Sequence, residues 1–218
     1  IAFGLWEGDQ VLGRLQRGLP ILLVDEIASA RTSLTHAYDF AAGLVALIGQ
    51  PDALNATFQI ASPEQITWKE VFELSARTLG FDIDLQIIAK GEFLKAWPGL
   101  AGKVEDRAMD RAFSADKLSR VVNGFDFQVG VEQGYTRVLD SWSIDQGLGF
   151  SPANLGRYER MLSELGRNQG TSWRPKSYDL QGKRDKLEYI VGRHRAADAS
   201  WQMVRSIRDR NRPAGDYA

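Results

Sequence analysis

The chain has 218 residues, 44% hydrophobic and 25% charged, with a formal net charge of −1. That is an ordinary globular composition, and its near-neutral charge gives no ground for a membrane or a nucleic acid as a whole-surface partner. The chain has no cysteine, which excludes disulfides, thiol catalysis and cysteine-ligated metals and fits a reducing, cytoplasmic compartment. No apolar run approaches the ~20 residues that span a bilayer.

Residues 1–4, I-A-F-G, read as the end of a buried strand, with 5–9 as the loop at its carboxyl end. Residue 1 is Ile, and this opening reads as part of a longer chain. Residues 9–17 predict a helix with Val11, Leu12 and Leu15 on one face and Arg14 and Arg17 on the other, stopped by Gly18 and Pro20. Residues 20–24 are a short apolar strand. Arg31 falls in the following loop. His36 stands at a helix start with no carboxylate or second histidine at metal-ligand spacing, so it reads as a backbone-bonded residue or as an acid/base group.

From 37 to 48, Ala37, Phe40, Ala41, Leu44, Val45 and Ile48 recur at three- and four-residue spacing, one apolar stripe. Gly49 and Pro51 end that helix. Residues 57–60 read as a short strand, and Thr67 with Glu70 as a capping box opening a helix from 68 to 79. Residues 84–89 read as a strand and 92–97 as a short helix cut off by Pro98. Residues 105–111, E-D-R-A-M-D-R, read as a solvated charge run. Residues 131–142 predict a helix with Val131, Tyr135, Val138, Leu139 and Trp142 on one face. The alternation of helices and strands predicts an α/β fold with a parallel sheet covered by helices.

Beyond 142 the sequence changes character. Ser151-Pro152 starts a helix that runs to 165. Residues 168–181 are polar and marked by Gly, Ser and Pro, a linker. Residues 183–210 predict a helix with the stripe Leu187, Ile190, Val191, His194, Trp201, Val204 and Ile207 and an Arg-rich opposite face. The stripe is expected to bury against the 151–165 helix or a sister subunit; the alternative is a basic helix lying on anionic lipid or RNA.

Several stretches resemble the extended short-chain dehydrogenase/reductases, the NAD(P)-dependent epimerase/dehydratase family. T-H-A-Y-D-F-A at 35–41 resembles that family's H-V-x-D-x-A. T-F-Q-I-A-S at 57–62 and I-T-W-K-E at 66–70 continue the match, with Gln59 where the family often has Asn. I-A-F-G followed by E-G-D resembles its x-V-Y-G-P-G-D strand end. F-S-A-D-K-L at 113–118 and G-V-E-Q-G-Y-T-R-V-L-D-S-W at 130–142 resemble its D-x-S-K and E-G-L-x-x-T-x-x-W stretches.

The resemblance implies that residues 1–142 are the C-terminal half of a Rossmann-like domain with a small substrate lobe, followed by a helical extension at 143–218. It implies a substrate-binding portion of an epimerase, dehydratase or reductase acting on a nucleotide sugar or similar hydroxyl or carbonyl compound. Its substrate-side residues would be Phe3, Arg31 and Arg107 or Arg111, the arginines clamping phosphate. Asp39 matches the family's acidic residue and is expected to be structural first. The chain contains no glycine-rich dinucleotide loop and no Tyr followed four positions on by Lys. No catalytic or metal residue is therefore assigned. NAD or NADP is expected in the parent chain and none on this portion alone; the expected partners are a small-molecule substrate, an N-terminal Rossmann half and a second copy. The rival expectations are a non-catalytic binding or regulatory protein, including an RNA-associated one, and a structural subunit that works through its basic tail.

Overall fold

A computed structural model describes residues 2–3, 5–140, 150–168, 170, 178, 180, 182–200 and 203. The chain forms two compact units, 1–149 and 150–218. Helices and short strands alternate in the first, an α/β arrangement, and the described residues of the second are built on helices. The first unit opens with a hairpin, β1 (Ala2–Phe3) antiparallel to β2 (Trp6–Glu7). This corrects the expected strand and long loop. Trp6 drives the turn: its indole is buried, donates to the Leu22 carbonyl at 2.9 Å and meets Phe93 and Trp97 edge-on. Bringing that large apolar ring inward folds the chain back on itself.

Helix α1 (Gly8–Gln16) is capped by Glu7 and Gln10 and buries Val11, Leu12 and Leu15 as its spacing demands. Arg14 is a correction, because it is fully buried rather than outward. The chain reverses after α1, with the Leu19 amide on the Arg14 carbonyl, and this places the Pro20 carbonyl where Arg14 Nε donates at 2.7 Å. Strand β3 (Ile21–Val24) is buried along its whole length and pairs in parallel with β6 (Leu85–Ile88), Ile21 opposite Leu85. A continuous apolar run is the pattern of a parallel strand covered on both faces.

Between these strands lie α2 (Asp25–Ser29), β4 (Arg31–Ser33), α3 (Ala37–Leu47), β5 (Gln65–Thr67) and α4 (Trp68–Leu79). Strands β4 and β5 pair antiparallel, and Thr32 bridges to Arg111 on the other side. The strand expected at 57–60 is irregular, a second correction. Lys117 Nζ takes the Thr57 carbonyl at 2.9 Å and lies 4.5 Å from the Phe58 ring, while Ile60 packs into the space left by Gly43. These side-chain anchors replace a ladder. After β6 come α5 (Lys90–Ala96), α6 (Ala101–Arg107), α7 (Asp116–Val121) and α8 (Val131–Asp140). The charge run at 105–111 is thus the end of α6 and the loop after it.

Helix α3 reverses the expected packing. Its stripe is one face, as the spacing predicts, but Phe40, Leu44, Val45 and Ile48 are 51–75% exposed. The opposite face is inside, through Asp39 and Gly43. The Asp39 carboxylate accepts the amides of Gln128 at 3.0 Å and Val129 at 2.9 Å. Gly43 has no Cβ, so Ile60, Phe125 and Leu118 close against the helix backbone.

The second unit is α9 (Pro152–Asn168) packed on α10 (Gly182–Arg193), with further helix at 195–200. Helix α9 runs through Gly166, where a stop was expected. The two helices cross at Gly156 and Gly192, so closely that a Cβ on either would collide with the other's backbone. Arg157 and Arg160 both reach the buried Asp198. The expected tail stripe is corrected here: Leu187 and Ile190 are about half exposed, because the crossing turns Glu188 and Gly192 toward α9 instead. Trp201, Val204 and Ile207 lie outside the described residues.

Two outcomes follow from this packing. Asp39→Ala strands the buried Val129 amide and the part-buried Gln128 amide and should destabilise the first unit by about 1–3 kcal/mol for the buried one and less for the other, read as a lower urea midpoint; Asp39→Asn, which keeps one acceptor, should lose less. Gly192→Ala should force α10 off α9 at an overpacking cost of about 1–3 kcal/mol, lowering a thermal melt of residues 150–218 far more than the exposed change Leu187→Ala does.

Candidate functional site

Three helices of the first unit begin around one cavity. His36 caps α3, its Nδ1 accepting the Tyr38 amide at 3.2 Å. Thr67 caps α4: its Oγ1 accepts the Glu70 amide at 3.2 Å, and Glu70 Oε2 accepts the Thr67 amide at 2.8 Å. Glu64 Oε2 accepts the Val131 amide at 2.7 Å and so caps α8. Each N-terminus carries a partial positive charge.

The cavity between them has a volume of about 440 Å³, within the ~300–1,000 Å³ of small-molecule pockets. Four separate segments wall it: residues 32–37, Trp68, Arg107, and the start of α8 from Gly130 to Val138. Gly134 lies against His36, since a Cβ there would be in ordinary contact with the imidazole at 3.4 Å. Tyr135 faces the cavity, and burial pushes its hydroxyl well above the ordinary phenol range. It therefore stays a neutral donor.

Arg107, the last residue of α6, lies over the Trp68 ring at 5.9 Å. Its Nε is buried without a hydrogen bond, 3.9 Å from Asp106 Oδ2. A guanidinium held by an aromatic face and left short of acceptors is suited to an anionic ligand. Arg31 and Arg111 stand close by, the Arg111 amide donating to the Arg31 carbonyl at 2.7 Å. Their side chains go elsewhere. Arg31 pairs with Asp110 at 3.3 Å and reaches Gln65, while Arg111 pairs with Asp106. The Arg31 amide and its guanidinium together hold the Asp110 carboxyl below its usual range. Phe3 is in β1, and its side chain is outside the described residues.

His36 thus caps a helix and faces the cavity at once. Trp68, Tyr135 and Val138 are cavity residues that periodicity assigned to the core or left unassigned. The spacing of Thr67 and Glu70 was the available signal for Trp68, because a capping box fixes the first residue of α4. Among the described residues no cluster of three or more His, Asp or Glu could hold a metal, and no helix is long and apolar enough to cross a membrane.

Two solved structures are similar in part. One is RMD from Pseudomonas aeruginosa complexed with NADPH, with a TM-score of 0.48 and 16% identity over 64% of this chain. The other is UDP-glucose 4-epimerase from Thermus thermophilus in complex with NAD, with a TM-score of 0.41 and 18% identity over 62% of this chain. The chain spans 42% and 39% of their respective lengths. No protein-family model and no curated protein matches the sequence.

The cap that places Trp68 can be tested by pH. Thr67→Ala should cost about 0.5–2 kcal/mol. The Thr67 amide and hydroxyl hold the Glu70 carboxyl below its usual range. A depressed folded value means the contribution is present above the unfolded value, ~4.3, and lost as pH falls through the folded one. Urea midpoints of wild type and Thr67→Ala should differ most at pH 7 and less in strong acid, where the bond from the Glu70 amide to Thr67 Oγ1 keeps a residual gap.

Proposed function

We propose that this chain is the substrate-binding portion of an NAD(P)-dependent epimerase, dehydratase or reductase acting on a nucleotide sugar or a similar hydroxyl- or carbonyl-bearing compound. One observation carries the reading. Four stretches far apart in sequence wall a single cavity, and they lie in or beside the stretches that resemble the extended short-chain dehydrogenase/reductases: Thr35 to Ala37, Trp68, Arg107 ahead of Ser114–Lys117, and Gly130 to Val138. In this reading the nicotinamide cofactor performs the hydride transfer and belongs to a Rossmann half that this sequence does not contain. This portion shapes the pocket and holds the substrate.

The outer face of α3 supports such a half. Burying an apolar side chain stabilises by about 1.5–3 kcal/mol, comparable to the ~1.5–3 kcal/mol of a hydrogen bond to a charged group. Four large side chains left outward for the two bonds of Asp39 is therefore unfavourable within this unit alone. An apolar helix face belongs against an apolar surface, and the open face of a parallel sheet is a surface that requires such a cover. The proposed occupant is the sheet of the dinucleotide-binding half.

In the full-length enzyme, Arg107→Ala should raise KM by roughly 10–150-fold, the equivalent of a lost charge-assisted contact of ~1.5–3 kcal/mol, with little change in melting temperature. Arg31→Ala and Arg111→Ala, whose side chains do not line the cavity, should change KM less. Equal kinetics in wild type and Arg107→Ala would reject the proposed site. Calorimetry of the 218-residue chain with NAD and with NADP should show no binding, since the phosphate cradle is not in this sequence; a micromolar one-to-one site would count against the division of labour.

A further inference from the structure

We infer that the ligand portion held in this cavity is an anion joined to an apolar, sparsely hydroxylated body. The inference rests on the proposed substrate-binding role and narrows it.

Charge is the first argument. Arg107 brings a positive charge, offset in part by Asp106 at 3.9 Å, and the positive end of α3 adds to it, while the amides at the starts of α4 and α8 already meet Glu70 and Glu64. No carboxylate lines the cavity among the described residues. Glu70 and Glu64, which bond the starts of α4 and α8, line a neighbouring depression instead, together with Glu73, Glu132 and Arg77. Their bonds to the caps fix that orientation. The two depressions are thus opposite in sign across one row of helix starts.

The apolar part of the lining is the second argument. Leu34, Ala37, Val131 and Val138 present aliphatic surface, with the rings of Trp68 and Tyr135. A polyhydroxyl ring is held by side chains that donate and accept in pairs, such as Asp, Glu, Asn or Gln. None of these lines the cavity among the described residues. Two of its hydroxyls are already engaged: Thr35 Oγ1 accepts the Ser62 amide at 2.9 Å, and Ser33 Oγ accepts the Phe113 amide at 3.2 Å. An apolar body gains from these walls, whereas a sugar ring would trade its water bonds for a few hydroxyl contacts and no paired amide or carboxylate partner.

The test is equilibrium calorimetry on the 218-residue chain with 4-phenylbutyrate, phenyl phosphate, 4-phenylbutyramide and UDP-glucose. At least one of the two apolar anions should bind, the uncharged amide at least ten-fold more weakly, and UDP-glucose more weakly than the better anion. Arg107→Ala should bring that anion down to the level of the amide. Val138→Asp, a change at a site 40% exposed and therefore tolerated by the fold, should also weaken it about ten-fold while thermal melting stays unchanged. Tightest binding by UDP-glucose, lost in Arg107→Ala, would overturn the inference and leave the substrate-binding role standing. Equal binding of anion and amide would overturn the inference as well. Binding of no probe, or binding indifferent to both substitutions, would overturn the inference and the role together.

Discussion

The carboxylate of Asp39 sets the arrangement of the first unit. Buried, it has to accept hydrogen bonds, because a carboxyl oxygen left bare away from water costs more than a single contact gains. The amides of Gln128 and Val129 supply them. That pair of bonds fixes which side of α3 faces inward. It also holds the segment that leads directly into α8. The distance between His36 and Gly134, and with it one wall of the cavity, follows from this anchor.

Around it the site is assembled by helix caps. His36, Thr67 and Glu64 each satisfy an amide that a helix start would otherwise leave bare. The three caps differ in chemistry, and the difference matters. Imidazole leaves the positive end of α3 beside the cavity, while the acids that bond the starts of α4 and α8 line a separate depression. Arg107 completes the cationic side from α6, steadied by Trp68. No single stretch of the chain contains a site; packing makes one from pieces that separately only stop and start helices.

Much of the fold was legible in the sequence. Strong periodicity placed α1, α4 and α8, and Thr67-Glu70 marked a helix start to the residue. What was not legible depends on partners distant in sequence. Nothing near Arg14 announces that a reversed chain will bring it the Pro20 carbonyl. The stripe of α3 predicts one apolar face without saying which way it points, since Asp39 decides that through residues far along the chain. In the tail, large apolar residues suggested the packing face, but Gly192, which has no side chain to signal it, determined where the helices meet. The arginines were legible as a group near one place. Their separation into one that faces the cavity and two that do not rests on Asp106 and Asp110, which read in sequence only as charge.

The parallel pairing of β3 with β6 bears on how the chain acquires its fold. All of α2 through α4 lies between the two strands. Ladder bonds there form only after that long loop has closed, an entropic cost met before any reward. Helix α4 has its own caps and can form early; the apolar run Ile21–Val24 must wait for its partner. During that wait it is an unpaired β-forming segment open to the wrong strand, including the same segment of another molecule. The most deeply buried strand of the finished unit is therefore its greatest hazard while the chain is being made.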